Sequence, residues 1–103
     1  MTSRKIIAEA DEISLKKYFK DINKIKTMTK AEEKKLRIEL HDDNKYRQEL
    51  VLHNLRFVAK IASKYQNMGL PLSDLISEGN LGLIKASQEY DPSRDNKFFS
   101  YII

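Results

Sequence analysis

Residues 71–86 read PLSDLISEGNLGLIKA, and this stretch decides the fold. Leu72, Ile76, Gly79, Leu83, Ala86 and Tyr90 recur at helical spacing and form a core stripe. The other side carries Asp74, Ser77, Glu78, Leu81 and Lys85, with Asn80 and Ile84 beside them. A face meant only for water would not normally place Leu81 and Ile84 among its charges. Acids that set register, next to aliphatics that bury on docking, are what a partner-binding surface requires. The plainer alternative is a solvated face with two stray aliphatics, which are common singly.

Working outward, Pro71 blocks continuation of any preceding helix, and Ser73 is the expected cap of a helix running through Tyr90. Asp91-Pro92-Ser93 is a turn signal. Upstream, the spacing predicts one long helix from Asn44 to about Asn67. Its main stripe is Val51, Leu55, Val58, Ala62 and Tyr65, widened by Leu50, Phe57 and Ile61. Asn67-Met-Gly69 ends it with glycine where a left-handed residue is wanted. Thr29 followed by Glu32 has capping-box spacing and starts a helix over Lys30–His41. Asp42 and Asp43 then suit the start of the long helix, where carboxylates accept orphan N–H groups. A short first helix, Leu15–Asn23, is expected behind a Ser14 cap, with Leu15, Tyr18, Phe19 and Ile22 on its apolar side. Residues 1–13 read as a flexible tail. Residues 97–103 begin an amphipathic fifth segment that should leave apolar surface exposed.

Composition bounds the rest. A chain of 103 residues is one small domain or part of a larger one. One third charged residues, with 2 prolines and 3 glycines, favours an all-α fold: a compact bundle of about four helices plus an incomplete fifth. The net charge of +4 and pI near 9.3 permit nucleic-acid contact, but 15 acids are interspersed with 19 bases, so no segment is a purely basic arm. The absence of cysteine excludes disulfides and thiolate metal sites and fits a cytoplasmic location. No apolar run approaches the roughly 18 residues of a membrane span, and the N-terminus has no signal-peptide core.

No catalytic constellation stands out, so no enzyme activity, cofactor or metal is expected. His41 and His53 are each isolated from metal-ligand spacing. His53 reads as a helix-surface residue near Glu49. Gly79 and Gly82 sit in GNLG within a helical pattern, too little for a phosphate loop. Each costs roughly 1 kcal/mol against alanine, which points to close helix approach or a backbone held near a partner.

The stretches SLKKYFKDINKIKTMTKAEE, NLRFVAKIASKYQNMGL and DLISEGNLGLIKA, followed by KFFSY, resemble bacterial sigma-70-type transcription initiation factors. From Ser14 onward the chain is similar to regions 1.2 to 2.2 and the start of 2.3, breaking off within that last region. Its style is closest to Bacteroides-type or phage-encoded members. The resemblance implies docking of the residue 72–86 helix on the clamp-helix coiled coil of the β′ subunit of core RNA polymerase. The matching positions are Asp74, Ser77, Glu78, Asn80 and Ile84, with Leu81 and Lys85 adjacent. That set largely coincides with the face picked out by periodicity. Ser77 stands where a longer amide is common in the family.

The resemblance also implies contact with promoter DNA, mainly the non-template strand of the −10 element, and none with membrane. Tyr90, Arg94 and Tyr101 match positions around the flipped-adenine pocket, and Asn96 replaces an aromatic expected there. Phe19 and Lys20 match the segment that approaches the single strand downstream. Asn54 and Arg56 match the side facing the end of the −10 element. Stacking a base on an aromatic is worth roughly 1–3 kcal/mol, against a few for extruding it. Lys16, Lys17, Lys20, Lys24 and Lys26 add phosphate attraction. Each has a plain alternative: Tyr90 as core, Tyr101 as the apolar side of a short helix, Arg94 as a solvated loop residue. Two functions follow. One is a sigma factor, or its N-terminal segment, that binds polymerase and helps open promoters. The other is a short sigma-like module or inhibitor that occupies polymerase without reading promoters.

Overall fold

The computed structural model describes residues 12–93 and 97–102. Six helices occupy the described residues: α1 Glu12–Ile22, α2 Lys30–Leu40, α3 Asp43–Leu52, α4 Leu55–Lys64, α5 Leu72–Glu89 and α6 Phe98–Ile102. The all-helical expectation holds. Residues 1–11 of the expected tail lie outside the described residues. The first helix begins at Glu12, so Ser14 lies inside it and is not its cap.

Local chemistry explains the boundaries. Thr29 Oγ1 accepts the Glu32 N–H at 3.1 Å and Glu32 Oε1 accepts the Thr29 N–H at 3.0 Å, completing the capping box of α2. α2 stops at His41, which takes a left-handed conformation with φ 49°. Asp42 caps α3 by accepting the Lys45 N–H at 3.0 Å. α5 begins at Leu72. The Pro71 carbonyl accepts the first bonds, from the Asp74 and Leu75 N–H groups at 3.1 Å each. Ser73 therefore sits in the first turn and is not the cap. Asn67 and Gly69, at φ 76° and 102°, reverse the chain between α4 and α5.

The single long helix expected over 44–67 is two helices. The break is at His53–Asn54, and Asn54 causes it. Its side-chain amide donates to the Leu50 carbonyl at 2.7 Å, while its backbone N–H turns to the Val51 carbonyl at 3.0 Å. A short amide that competes for the acceptor of its own helical ladder weakens and bends the helix at that point. His53 adds a tether: its Nδ1 pairs with the Lys26 carbonyl, and its Nε2 lies 3.3 Å from Glu49.

The core joins Tyr18 and Ile22 of α1, Tyr46 and Leu50 of α3, Leu55, Ala59 and Ala62 of α4, and Ile76 and Leu83 of α5, closed by Tyr90 and Phe98. α5 is the central strut, packing most extensively on α4 and next on α3. Gly79 lies at the α4–α5 contact. A Cβ there would stand 2.6 Å from Val58 Cγ1, so only glycine permits this approach. Gly82, one turn on, faces open space.

Candidate functional site

Two surfaces of different chemistry emerge from this scaffold. The first is the outer face of α5. Asp74, Glu78 and Lys85 are exposed, and Ser77 is partly exposed. Leu81 and Ile84, three residues apart on one face, keep 39% and 40% of their surface open. Asn80 is a correction to the sequence expectation. It is buried, and its Nδ2 donates to the Tyr18 hydroxyl at 3.0 Å. It bonds α5 to α1 inside the bundle and is not available to a partner on the outer face. Burial pushes the Tyr18 phenol above its usual range, with the Asn80 bond partly offsetting it.

The second surface is a groove of about 650 Å³ between α1 and α4, reached also by Phe99 of α6. Arg56, Lys60 and Lys64 follow one another at four-residue steps along α4 and are all exposed. Steps of four residues set them about 6 Å apart along the helix. Phe19 lines the α1 bank, and Lys20 is exposed beside it on the same helix. Phe57 and Phe99 meet edge to face, 4.6 Å between centroids, and Lys97 Nζ lies 5.3 Å from the Phe99 centroid. Cations in file beside aromatic rings suit a single-stranded nucleic acid, whose phosphates and base faces alternate.

Several DNA-contact candidates are placed differently from expectation. Asn54 is buried and donates its amide to the Leu50 carbonyl, so it shapes the α3–α4 break and is not presented on the surface. Tyr90 keeps only 1% of its surface. Its ring packs on Phe98 at 5.2 Å and Tyr101 at 5.5 Å, and its hydroxyl accepts from Lys30 Nζ at 2.9 Å. Burial, then Glu33 and Asp91, push its phenol up to about 12. It is a core residue supporting its neighbours. Tyr101 remains 39% exposed on α6, backed by Tyr90 and Phe98. Arg94 and Asn96 lie outside the described residues. Sequence reasoning missed Phe57, Phe99, Lys60, Lys64 and Lys97. The basic i, i+4, i+8 series on α4 was the available signal for three of the groove residues.

It also missed Glu33. This carboxylate is 2% exposed, and its two oxygens accept the Phe98 N–H at 3.1 and 3.3 Å. It thereby caps α6 from α2, 65 residues away in sequence. Burial raises its pKa above the ordinary carboxylate value, against the Phe98 bond, Lys30 and Lys97, which lower it. Among the described residues no cluster of His, Asp and Glu could hold a metal ion, and no helix is long and apolar enough to cross a membrane.

The family described as Sigma-70 region 2 matches residues 50–103. The chain is 44% identical to RNA polymerase sigma factor RpoH of Zymomonas mobilis, over 87% of this chain and 30% of that protein. It is 40% identical to RNA polymerase sigma-C factor of Myxococcus xanthus, over 87% of this chain and 31% of the relative. RNA polymerase sigma factor RpoS of Coxiella burnetii is 41% identical over 82% of this chain and 24% of its own length. The chain thus spans a quarter to a third of the relatives it matches.

Proposed function

The chain belongs to the sigma-70 family of RNA polymerase sigma factors, and on that premise we propose that it acts in transcription initiation as a binding protein, not an enzyme. It docks on core RNA polymerase, at the clamp helices of the β′ subunit, through the outer face of α5. It holds the non-template strand of the −10 element along the groove of α1 and α4 and against Tyr101. The compartment this implies is the cytoplasm.

The observation that carries the reading is the division of chemistry within one small bundle. Asp74 and Glu78 stand exposed beside exposed Leu81 and Ile84 on α5. That combination suits a protein partner presenting cations and apolar side chains, and it repels phosphate. Arg56, Lys60 and Lys64 stand beside Phe19, Phe57 and Phe99 in the other groove, which suits a single strand. With Asn80, Asn54 and Tyr90 buried, the docking set contracts to Asp74, Ser77, Glu78, Leu81, Ile84 and Lys85. The DNA set becomes Phe19, Lys20, Arg56, Tyr101 and Arg94, the last outside the described residues, joined by Lys60 and Lys64.

The test is a two-step capture. The chain is first bound to core polymerase, and the complex is then titrated with single strands of the −10 element. The reading expects the non-template strand to bind more tightly than its complement. It expects Tyr101→Ala to weaken that strand about tenfold, the loss of one stacked base, while polymerase capture is unchanged. Equal affinity for both strands and no effect of Tyr101→Ala would contradict the DNA half of the reading.

A further inference from the structure

α6 is only five residues long, Phe98–Ile102. A helix of that length does not hold itself together in water, because its few internal bonds do not offset the cost of nucleation. Its place must be fixed by side chains from elsewhere in the bundle. That place matters, because Tyr101 stands on α6 with 39% of its surface open.

Two residues in the first turn of α2 supply the holds. Glu33 accepts the Phe98 N–H with both carboxylate oxygens, at 3.1 and 3.3 Å, and so fixes where α6 starts. The Tyr101 N–H bonds to the Lys97 carbonyl at 3.3 Å, so Tyr101 lies within the turn that Glu33 begins. Lys30 stands three residues before Glu33, on the same side of α2. Its Nζ donates to the Tyr90 hydroxyl at 2.9 Å and to the Pro92 carbonyl at 3.2 Å. Arg47 of α3 fixes the backbone there, donating to the Tyr90 carbonyl at 2.8 Å, which leaves Lys30 to fix the ring. That ring backs Tyr101, 5.5 Å between centroids, and Phe98, 5.2 Å between centroids. Both holds from α2 therefore converge on Tyr101, one through the backbone of α6 and one through the ring behind it.

Neither hold needs a strand to be present. Glu33 is 2% exposed, and a carboxylate repels phosphate, so it has no direct part in binding one. The half-buried Lys30 ammonium is engaged by two oxygens of its own chain. An aromatic ring fixed before the strand arrives spares the ordering cost that stacking a base on a loose one would carry.

We propose that the first turn of α2 is the positioning element of the single-strand site: Glu33 and Lys30 hold Phe98 and Tyr90 so that the Tyr101 ring is set at the surface for a base, and neither touches the strand. This rests on the single-strand reading of Tyr101. It adds α2, which lines no part of the α1–α4 groove.

The experiment titrates the complex of the 103-residue chain and core polymerase with the non-template strand of the −10 element. The samples are the wild type, Tyr101→Ala, Glu33→Met, Glu33→Gln, Lys30→Met and the double variant Glu33→Met with Tyr101→Ala, with helicity and melting recorded for each. Methionine keeps the bulk of either side chain and removes its polar end, whereas glutamine keeps an acceptor for the Phe98 N–H. The inference expects Glu33→Met and Lys30→Met each to weaken the strand about five- to tenfold, most of one stacked base. Polymerase capture and the salt dependence of strand binding should stay as they were, because no phosphate contact is lost. Glu33→Gln should stay within about twofold of the wild type, and the double variant within about twofold of Tyr101→Ala alone, since residues acting through one contact do not add. Should Glu33→Met fail to fold, Lys30→Met and its double variant with Tyr101→Ala decide instead. Wild-type strand affinity in both methionine variants, beside a loss in Tyr101→Ala, would overturn the positioning role and leave the single-strand reading standing. Losses that multiply in the double variant, or an equal fall in polymerase capture, would make Glu33 and Lys30 general supports of the fold and overturn it as well. No loss in Tyr101→Ala would overturn both.

Discussion

The outer face of α5 and the groove between α1 and α4 are made of opposite materials, although α4 and α5 are the most closely packed pair in the bundle. One carries carboxylates beside aliphatics. The other carries guanidinium and ammonium groups beside phenyl rings. The α5 face lies within a single helix, so every member is fixed by one backbone. The groove draws on α1, α4 and α6, so its shape depends on how three helices are held. A one-helix surface survives small shifts in packing, whereas a three-helix surface does not. Variants that loosen packing should therefore harm single-strand binding more than polymerase docking, and charge changes should separate the two cleanly.

The largest effect should come from Glu33→Ala. It leaves the Phe98 N–H without its carboxylate and opens a space beside Tyr46 and Tyr90, at a cost of about 2–4 kcal/mol by thermal or urea melting. Because it frees the start of α6, single-strand binding should fall further than polymerase binding. The pH dependence has a definite sign. Burial holds the Glu33 pKa above 4.5 in the native state, so the native state binds that proton more tightly than the unfolded chain. Its contribution is present below pH 4.5 and is lost as pH rises through the raised value. Glu33→Gln should remove that decline from the stability–pH curve. Its neighbour Glu32, with its pKa lowered by the Thr29 bonds, acts in the other direction: its contribution is lost as pH falls.

Gly79→Ala should rank next, losing about 1–3 kcal/mol through the clash with Val58 despite the better helix former. The clash pushes α4 from α5, so single-strand binding should suffer more than polymerase docking, and pairing it with Val58→Ala should recover part of the loss. Lys60→Glu with Lys64→Glu should sharpen the comparison most. We expect single-strand affinity to fall by about 1–2 kcal/mol with a shallower salt dependence, while polymerase capture is unchanged. The smallest effect belongs to Gly82→Ala. Nothing stands within 4 Å of the added methyl, so it should stabilise by about 0.5–1 kcal/mol and alter neither surface.

The same contrast explains what could be read from residues alone. The capping box at Thr29, the Asp42 cap and the two stripes of α5 are local patterns, each contained within a few turns, and the structure follows them. What escaped depends on partners far along the chain. Asn80 looks like surface in sequence and is buried because Tyr18 waits across the bundle. Glu33 sits in the charged run KAEEKK and is buried because the start of α6 arrives above it. The break at Asn54 falls inside an unbroken apolar period, because periodicity does not register a side-chain amide competing for the Leu50 carbonyl. The basic groove escaped for a similar reason: its cations are periodic on α4, but its aromatic rings come from three helices.

The most direct test of the two-surface account is the affinity of this chain for core RNA polymerase, measured for the wild type and for Glu78→Lys, with single-strand binding recorded on the same samples. The account predicts that the wild type binds polymerase, and that reversing one exposed charge on α5 lowers that affinity at least tenfold, about 1.4 kcal/mol, while the melting curve and single-strand binding stay as they were. Unchanged polymerase affinity in a folded Glu78→Lys protein would contradict it, and the outer face of α5 would no longer be the docking surface.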